Sequence, residues 1–237
     1  MALDNAGYHF VWLIWAVAFM LPWIMLFIVR PKLRRPIFWA SVLTTPLGLT
    51  EPLFVPAYWN PPSLFDLAQR TGFDIESLIF TFATGGIAFV GYRALVHAPE
   101  SRLDHVAHLA ARHRWHGAAL VSPFLVFMAL VSLPTNPIHA AIGALLAGAL
   151  ATQLCRPDLW RNTLIGGLLF LGLYVVFLFG LKWLWPGYIE AVWNLPALLQ
   201  WRPAGLPIEE LGFGFSFGMY WSSAYEHFAW RAPSFLR

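Results

Sequence analysis

Four glutamates stand in strongly apolar surroundings: Glu51, Glu76, Glu209 and Glu210. At bilayer depth an acidic side chain costs about 2.5–3.5 kcal/mol, and such residues usually face the protein interior and serve a function. A glutamate in the first turn of a helix can instead complement the helix dipole, and Asp74 can cap the helix that carries Glu76. Glu51 escapes that explanation because it falls late in its segment. A carboxylic acid enclosed by apolar groups favours its neutral form, which makes it a Brønsted acid. Aromatic faces stabilise cations, and Phe, Trp and Tyr form 17% of the chain. A buried acid in an aromatic, water-poor cavity suits protonation of an alkene and guidance of the resulting carbocation. The four glutamates are therefore the candidate catalytic residues. The aromatic residues expected against the substrate are Trp59, Trp193, Phe80, Phe82, Phe213, Phe215 and Tyr225.

The elements that must position these residues are transmembrane helices. Charged residues make up only 11% of 237 positions and mean hydropathy is +0.61, too little polar surface to face water all round. Hydrophobic stretches long enough to cross a bilayer occur at about 9–29, 37–56, 73–96, 116–133, 137–155, 162–185 and 207–229. Twelve of the 15 Lys and Arg residues then fall on one side; only Arg70, Lys182 and Arg202 fall on the other. The positive-inside effect places the N-terminus outside and the C-terminus in the cytoplasm, and it accounts for the basic pI without nucleic acid. No cleavable signal peptide is expected. In the outer loop 57–72, Ser63 can cap a short helix ended by Gly72 and lying along the membrane surface.

An internal repeat organises the spans. Residues from Asp74-Ile75-Glu76 align with Pro207-Ile208-Glu209 at an offset of 133, continuing through Gly85/Gly218 to Tyr92/Tyr225. Upstream, Trp59-Asn60-Pro61-Pro62-Ser63-Leu64 matches Trp193-Asn194-Leu195-Pro196-Ala197-Leu198 with one residue of slippage. The expected fold is all-α: seven transmembrane helices as two parallel three-helix repeats joined by a linker helix. The units are 1–97, 98–136 (cytoplasmic loop and linker) and 137–237, with a site at the repeat interface. The shared stripe Ile75, Leu78, Phe82, Gly85 and Tyr92 reads as a helix-packing face.

The run Leu206-Pro207-Ile208-Glu209-Glu210, then Phe213 and Tyr225-Glu226, resembles the signature of the lycopene cyclase domain family. This is the membrane type found as heterodimeric subunits or tandem fusions, unrelated to the flavin-containing cyclases. The resemblance covers roughly 37–97 and 162–229. It implies cyclisation of the acyclic ends of a linear carotenoid to β-ionone rings, an isomerisation that consumes no redox cofactor. The motif acids map to Glu209 and Glu210, and to Glu76 in the first repeat. That repeat reads Asp-Ile-Glu-Ser, without the Pro and the second Glu. The expectation is that Glu209 or Glu210 donates the proton and Glu51 or Glu76 removes one. Membrane lipid and a linear carotenoid or other prenyl substrate are the expected partners, with self-association or neighbouring carotenoid enzymes also in keeping.

Two other classes share the layout. A retinal protein needs a lysine within its last span, and the only lysines are Lys32 and Lys182. A prenyl-lipid-binding protein or a small-solute transporter stays open, although mid-span positions are mostly aliphatic, aromatic or glycine, which favours a lipid substrate. His97, His105, His108, His113 and His116 lie among arginines and read as a hydrated interfacial helix, with no metal expected there or at the single Cys155. Glu226 and His227 are placed near the inner interface. Ala140, Ala144 and Gly148 are expected to let the fifth span pack closely.

Overall fold

The computed structural model describes residues 7–96, 100–102 and 111–233. His97, His105 and His108 lie outside the described residues. The described residues are helical almost throughout. The first span is two helices, α1 (Val11–Ala18) and α2 (Met20–Val29), broken at Phe19. Pro22 has no N–H to offer the Ala18 carbonyl one turn back, which accounts for the break. Helix α3 (Arg34–Thr44) continues as a 3-10 segment, Thr45–Leu53, where Pro46 and Pro52 remove two more donors. The short α4 (Leu67–Thr71) precedes α5 (Ile75–Val96). Then follow α6 (His116–Val131), α7 (Pro137–Cys155), α8 (Trp160–Leu184), the short α9 (Tyr188–Val192) and α10 (Ile208–Phe228).

Five helical stretches among the described residues are long and apolar enough to cross a membrane: Val11–Val29, Ile75–Leu95, His113–Val131, Pro137–Cys155 and Pro157–Leu184. The other two spans expected from sequence correspond to Arg34–Leu53 and α10. The first changes helix type at its prolines. Helix α10 has the length, 21 residues, but buries Glu209, Glu210, Ser216, Ser222, Ser223, Glu226 and His227. It packs against α8, α7 and α5, so its polar groups meet protein and not lipid.

Helix α5 holds the matching place in the first half, packing on α1, α2, α3 and the 3-10 segment as well as on α10. Two glycines aligned by the repeat make these contacts close. A Cβ on Gly85 would come within 2.3 Å of Thr44 in α3, and one on Gly218 within 2.6 Å of Phe170 in α8. Asp74 does cap α5, its Oδ1 accepting from Ser77 N–H at 2.5 Å. Asn136 caps α7 through Ile138 N–H at 3.2 Å.

The loops at one end of the bundle also meet in pairs. Trp59 and Trp193 form an antiparallel bridge, with Asn60 N–H donating to Val192 O at 2.8 Å and Asn194 N–H to Tyr58 O at 2.9 Å. Under the sequence alignment these two bonds are equivalents. In loop 57–72, Phe65 and Asp66 take left-handed φ values of 58° and 53°, which splits the expected helix. Ser63 Oγ consequently caps Ala68 N–H, at 2.8 Å, and Gly72 at φ 76° ends α4. At the opposite end, Arg93 and Glu226, also aligned by the 133-residue offset, form an ion pair at 3.5 Å. Glu226 and His227 are 3% and 0% exposed, so they lie inside the bundle and not at its interface as the sequence suggested. A short antiparallel strand pair, Glu100–Arg102 with Arg231–Pro233, closes this end.

Candidate active site

A cavity of about 410 Å³ lies between the two halves. Helices α1, α5, α6, α7, α8 and α10, the 3-10 segment and both Trp-Asn loops contribute to its wall, which is apolar except for a few groups. Those groups are Thr50 and Glu51 from the 3-10 segment, Glu210 from α10, Tyr58, Tyr174, Tyr220, and Ser77, Thr81 and Thr84 of α5. Thr81 and Thr84 return their hydroxyls to carbonyls one turn back, at 2.8 and 2.7 Å, and so present little polarity to the cavity.

Each carboxyl is held by the tryptophan of its own half. Trp59 Nε1 donates to Glu51 Oε1 at 2.5 Å, and Trp193 Nε1 donates to Glu210 Oε1 at 2.7 Å. Glu210 receives two further donors: Tyr174 Oη on Oε2 at 2.5 Å and Tyr58 Oη on Oε1. Burial, with Glu210 beside it, pushes the Tyr58 phenol well above its ordinary range, so it stays an O–H donor at physiological pH. Three donors on one carboxyl suit an acceptor. Glu51 is less enclosed by donors, with the Trp59 indole on one oxygen and Ser77 nearby on the cavity wall. Ser77 occupies in α5 the place that Glu210 occupies in α10. The wall therefore carries one carboxyl from each half, but from different helices.

Glu76 and Glu209, the residues the repeat aligns, sit apart from this wall. Glu76 is fully buried, and its Oε1 accepts Leu64 N–H at 2.8 Å. Glu209 is 2% exposed; its Oε1 accepts Leu199 N–H at 2.6 Å and lies 3.4 Å from His139 Nε2. The second oxygen of each has no hydrogen-bond partner among the described residues. Both thus brace the loop that precedes their helix. Adjacent helix residues point about 100° apart, so when Glu209 faces the loop Glu210 is turned towards the cavity.

The aromatic residues divide in the same way. Trp59, Trp193, Phe80 and Phe213 line the cavity. Phe82, Phe215 and Tyr225 do not: Phe82 packs on Trp23 and Phe38, Phe215 on Gly167, and Tyr225 between Phe89 and Arg93. Two positions along a helix is a rotation of about 200°, which carries Phe82 and Phe215 to the far side from Phe80 and Phe213. Trp12 and Phe19 of the first span also line the cavity, Trp12 edge-on to Trp59 at 4.7 Å between centroids. Neither they nor Tyr58 and Tyr174 stood out in the sequence. Tyr58 had one signal, its place directly before the repeated Trp-Asn.

Between the 3-10 segment and α6 the wall includes Leu53, Phe124 and Met128, which are 45%, 46% and 66% exposed. The cavity is accordingly bordered by residues on the lipid-facing side, with Phe54 stacked on Phe127 at 6.2 Å between the two elements.

Residues 136–228 match the family model described as Lycopene cyclase. The matched segment includes Tyr174, Trp193 and Glu210. Comparison with curated proteins and with solved structures gives no match.

Proposed function

We propose, from the match of residues 136–228 to the lycopene cyclase family model, that the chain cyclises the acyclic ends of a linear carotenoid within the membrane. The observation that carries this reading is the pair of carboxyls, Glu51 and Glu210, on one otherwise apolar and aromatic cavity. A hydrocarbon polyene enters from lipid past Leu53, Phe124 and Met128. Glu51 transfers its proton to the terminal double bond, forming a C–H bond and a tertiary cation. A second double bond of the chain attacks that cation and closes the ring, which moves the positive charge onto a ring carbon. Trp59, Trp193, Phe80 and Phe213 face the charge with their π-systems, and the Glu210 carboxylate lowers its energy from one side. Loss of a proton from the neighbouring carbon to Glu210 leaves the ring double bond. Atoms and electrons balance as an isomerisation.

The roles of the two acids are the reverse of the sequence expectation. Glu210 already accepts from two phenols and an indole, which suits the anion that receives the proton. Glu51 is the better donor because fewer groups compete for its oxygens. The test is to express the chain in cells that accumulate lycopene and to analyse their pigments. Ring-bearing carotenoids are expected; unchanged lycopene beside folded, membrane-inserted protein would overturn the reading.

A further inference from the structure

At the end of the bundle away from the cavity, three metal-ligating side chains converge. His113 Nδ1 lies 3.3 Å from Cys155 Sγ, and His116 Nδ1 lies 3.4 Å from the same sulfur. The three ligand atoms are all within 4.8 Å of one another. His113 is 7% exposed and Cys155 is 4% exposed, so this is an enclosed cluster and not the hydrated face that the run of histidines suggested. The chain assembles it from three places. His113 belongs to the 3-10 turn Ala111–Trp115, His116 opens α6, and Cys155 is the last residue of α7. Trp230 closes over the cluster, stacked on His116 at 4.0 Å and edge-on to His113 at 4.9 Å between centroids.

We propose that His113, His116 and Cys155 form a binding site for a divalent transition-metal ion of borderline softness, Zn(II) in the first place. Zn–N bonds of about 2.0–2.1 Å and a Zn–S bond of about 2.3 Å at a tetrahedral angle set N and S about 3.6 Å apart, close to both separations. Imidazole and thiolate together suit zinc and exclude magnesium or calcium. A second observation points the same way. His227, fully buried on α10, packs edge-on to His116 at 4.3 Å between centroids, and its Nε2 has no hydrogen-bond partner among the described residues. An enclosed ring nitrogen with nothing to bond is costly. An ion at the trio, with the fourth position of three-ligand zinc open to water, gives that nitrogen a polar neighbour. Binding releases the thiol proton to solvent.

Such an ion ties the entry of α6 to the exit of α7 beside the end of α10. It sits about 25 Å along α10 from Glu210, taking 17 residues at 1.5 Å each, so it clamps the helices and takes no part in the cavity chemistry.

The test uses the full-length protein purified in detergent with a histidine-free affinity tag. Elemental analysis is expected to find about one zinc per chain. Replacement by Co(II) is expected to produce thiolate-to-cobalt charge-transfer absorption and the strong visible bands of a tetrahedral site. Cys155→Ser should remove the charge-transfer band, and His113→Ala should weaken metal binding by ~100-fold. His139→Ala, at the other end of the bundle, should change neither. Absence of zinc together with no cobalt–thiolate band on loading folded wild-type protein would overturn the proposal, as would the band persisting in Cys155→Ser. If either variant fails to fold, the wild-type cobalt spectrum decides the matter alone.

Discussion

Trp59 and Trp193 hold matching places in the two halves of the chain, and they meet. They form one antiparallel bridge, their rings 5.3 Å apart, and each indole N–H is given to a carboxyl on the wall of the same cavity. Residues that the sequence alignment matches thus meet at the loops that hold the two acids. Arg93 and Glu226, likewise aligned, pair at the other end. Residues matched by the sequence alignment thus face one another at both ends, yet the two cavity carboxyls, Glu51 and Glu210, are not a matched pair.

Tyr174→Phe should lower turnover while leaving the fold intact. The substitution removes the donor 2.5 Å from Glu210 Oε2 and keeps the ring that lines the cavity. Hydrogen bonds to charged groups are worth about 1.5–3 kcal/mol, so turnover per folded protein should fall by about 10–150-fold. Assays of the purified variant with its melting temperature as a control measure this.

Cyclisation run in deuterated water should place one deuterium in each ring formed, because the proton on Glu51 exchanges with solvent between turnovers. Mass spectrometry of the product reads this directly. Rings carrying no deuterium would mean that the initiating proton does not come from an exchangeable acid.

Glu76→Ala and Glu209→Ala should act on stability. Each removes the carboxyl that accepts a loop N–H, at Leu64 or Leu199, in a half-buried hydrogen bond. The cost is about 1–3 kcal/mol per site, readable as a lowered melting temperature in detergent. Turnover of the protein that remains folded should change much less.

Gly218→Ala should destabilise the bundle where Gly91→Ala does not. A Cβ at 218 falls 2.6 Å from Phe170 Cβ and 2.7 Å from the Gly166 carbonyl, neither of which can swing aside. At Gly91 nothing lies within 4 Å. Overpacking of this kind costs about 1–3 kcal/mol, and thermal unfolding of the two variants compares them.

Much of this architecture was legible because it is written in composition and period. Apolar runs marked the helices, and the stripe with Gly85 and Gly218 marked the close packing. Asp74 before α5 and Gly72 after α4 announced the helix boundaries. The site was legible only as a short set of carboxyls, since sequence separates neighbours on a helix no better than the nearest turn. Glu209 and Glu210 are adjacent in the chain and face different surroundings, and what decides between them is where the loop 193–206 folds back. Glu51 stood out through its depth in an apolar segment, but its partner Trp59 lies eight residues on, past the end of the 3-10 segment at Leu53. Tyr174, one hydroxyl in a long apolar helix, carries no local pattern. The cluster at His113, His116 and Cys155 joins residues about 40 apart, and only packing of α6 on α7 brings them together.

The most direct test of the account compares four single substitutions in the purified protein, assayed for ring formation per folded molecule. Glu51→Gln and Glu210→Gln are each expected to lower the rate by at least ~100-fold, the scale of a lost proton-transfer group. Glu76→Gln and Glu209→Gln, which keep an oxygen for the loop N–H, are expected to stay within a few-fold of wild type. Full activity in Glu51→Gln or Glu210→Gln, with loss in the other pair, would contradict the assignment of the two cavity carboxyls to one reaction.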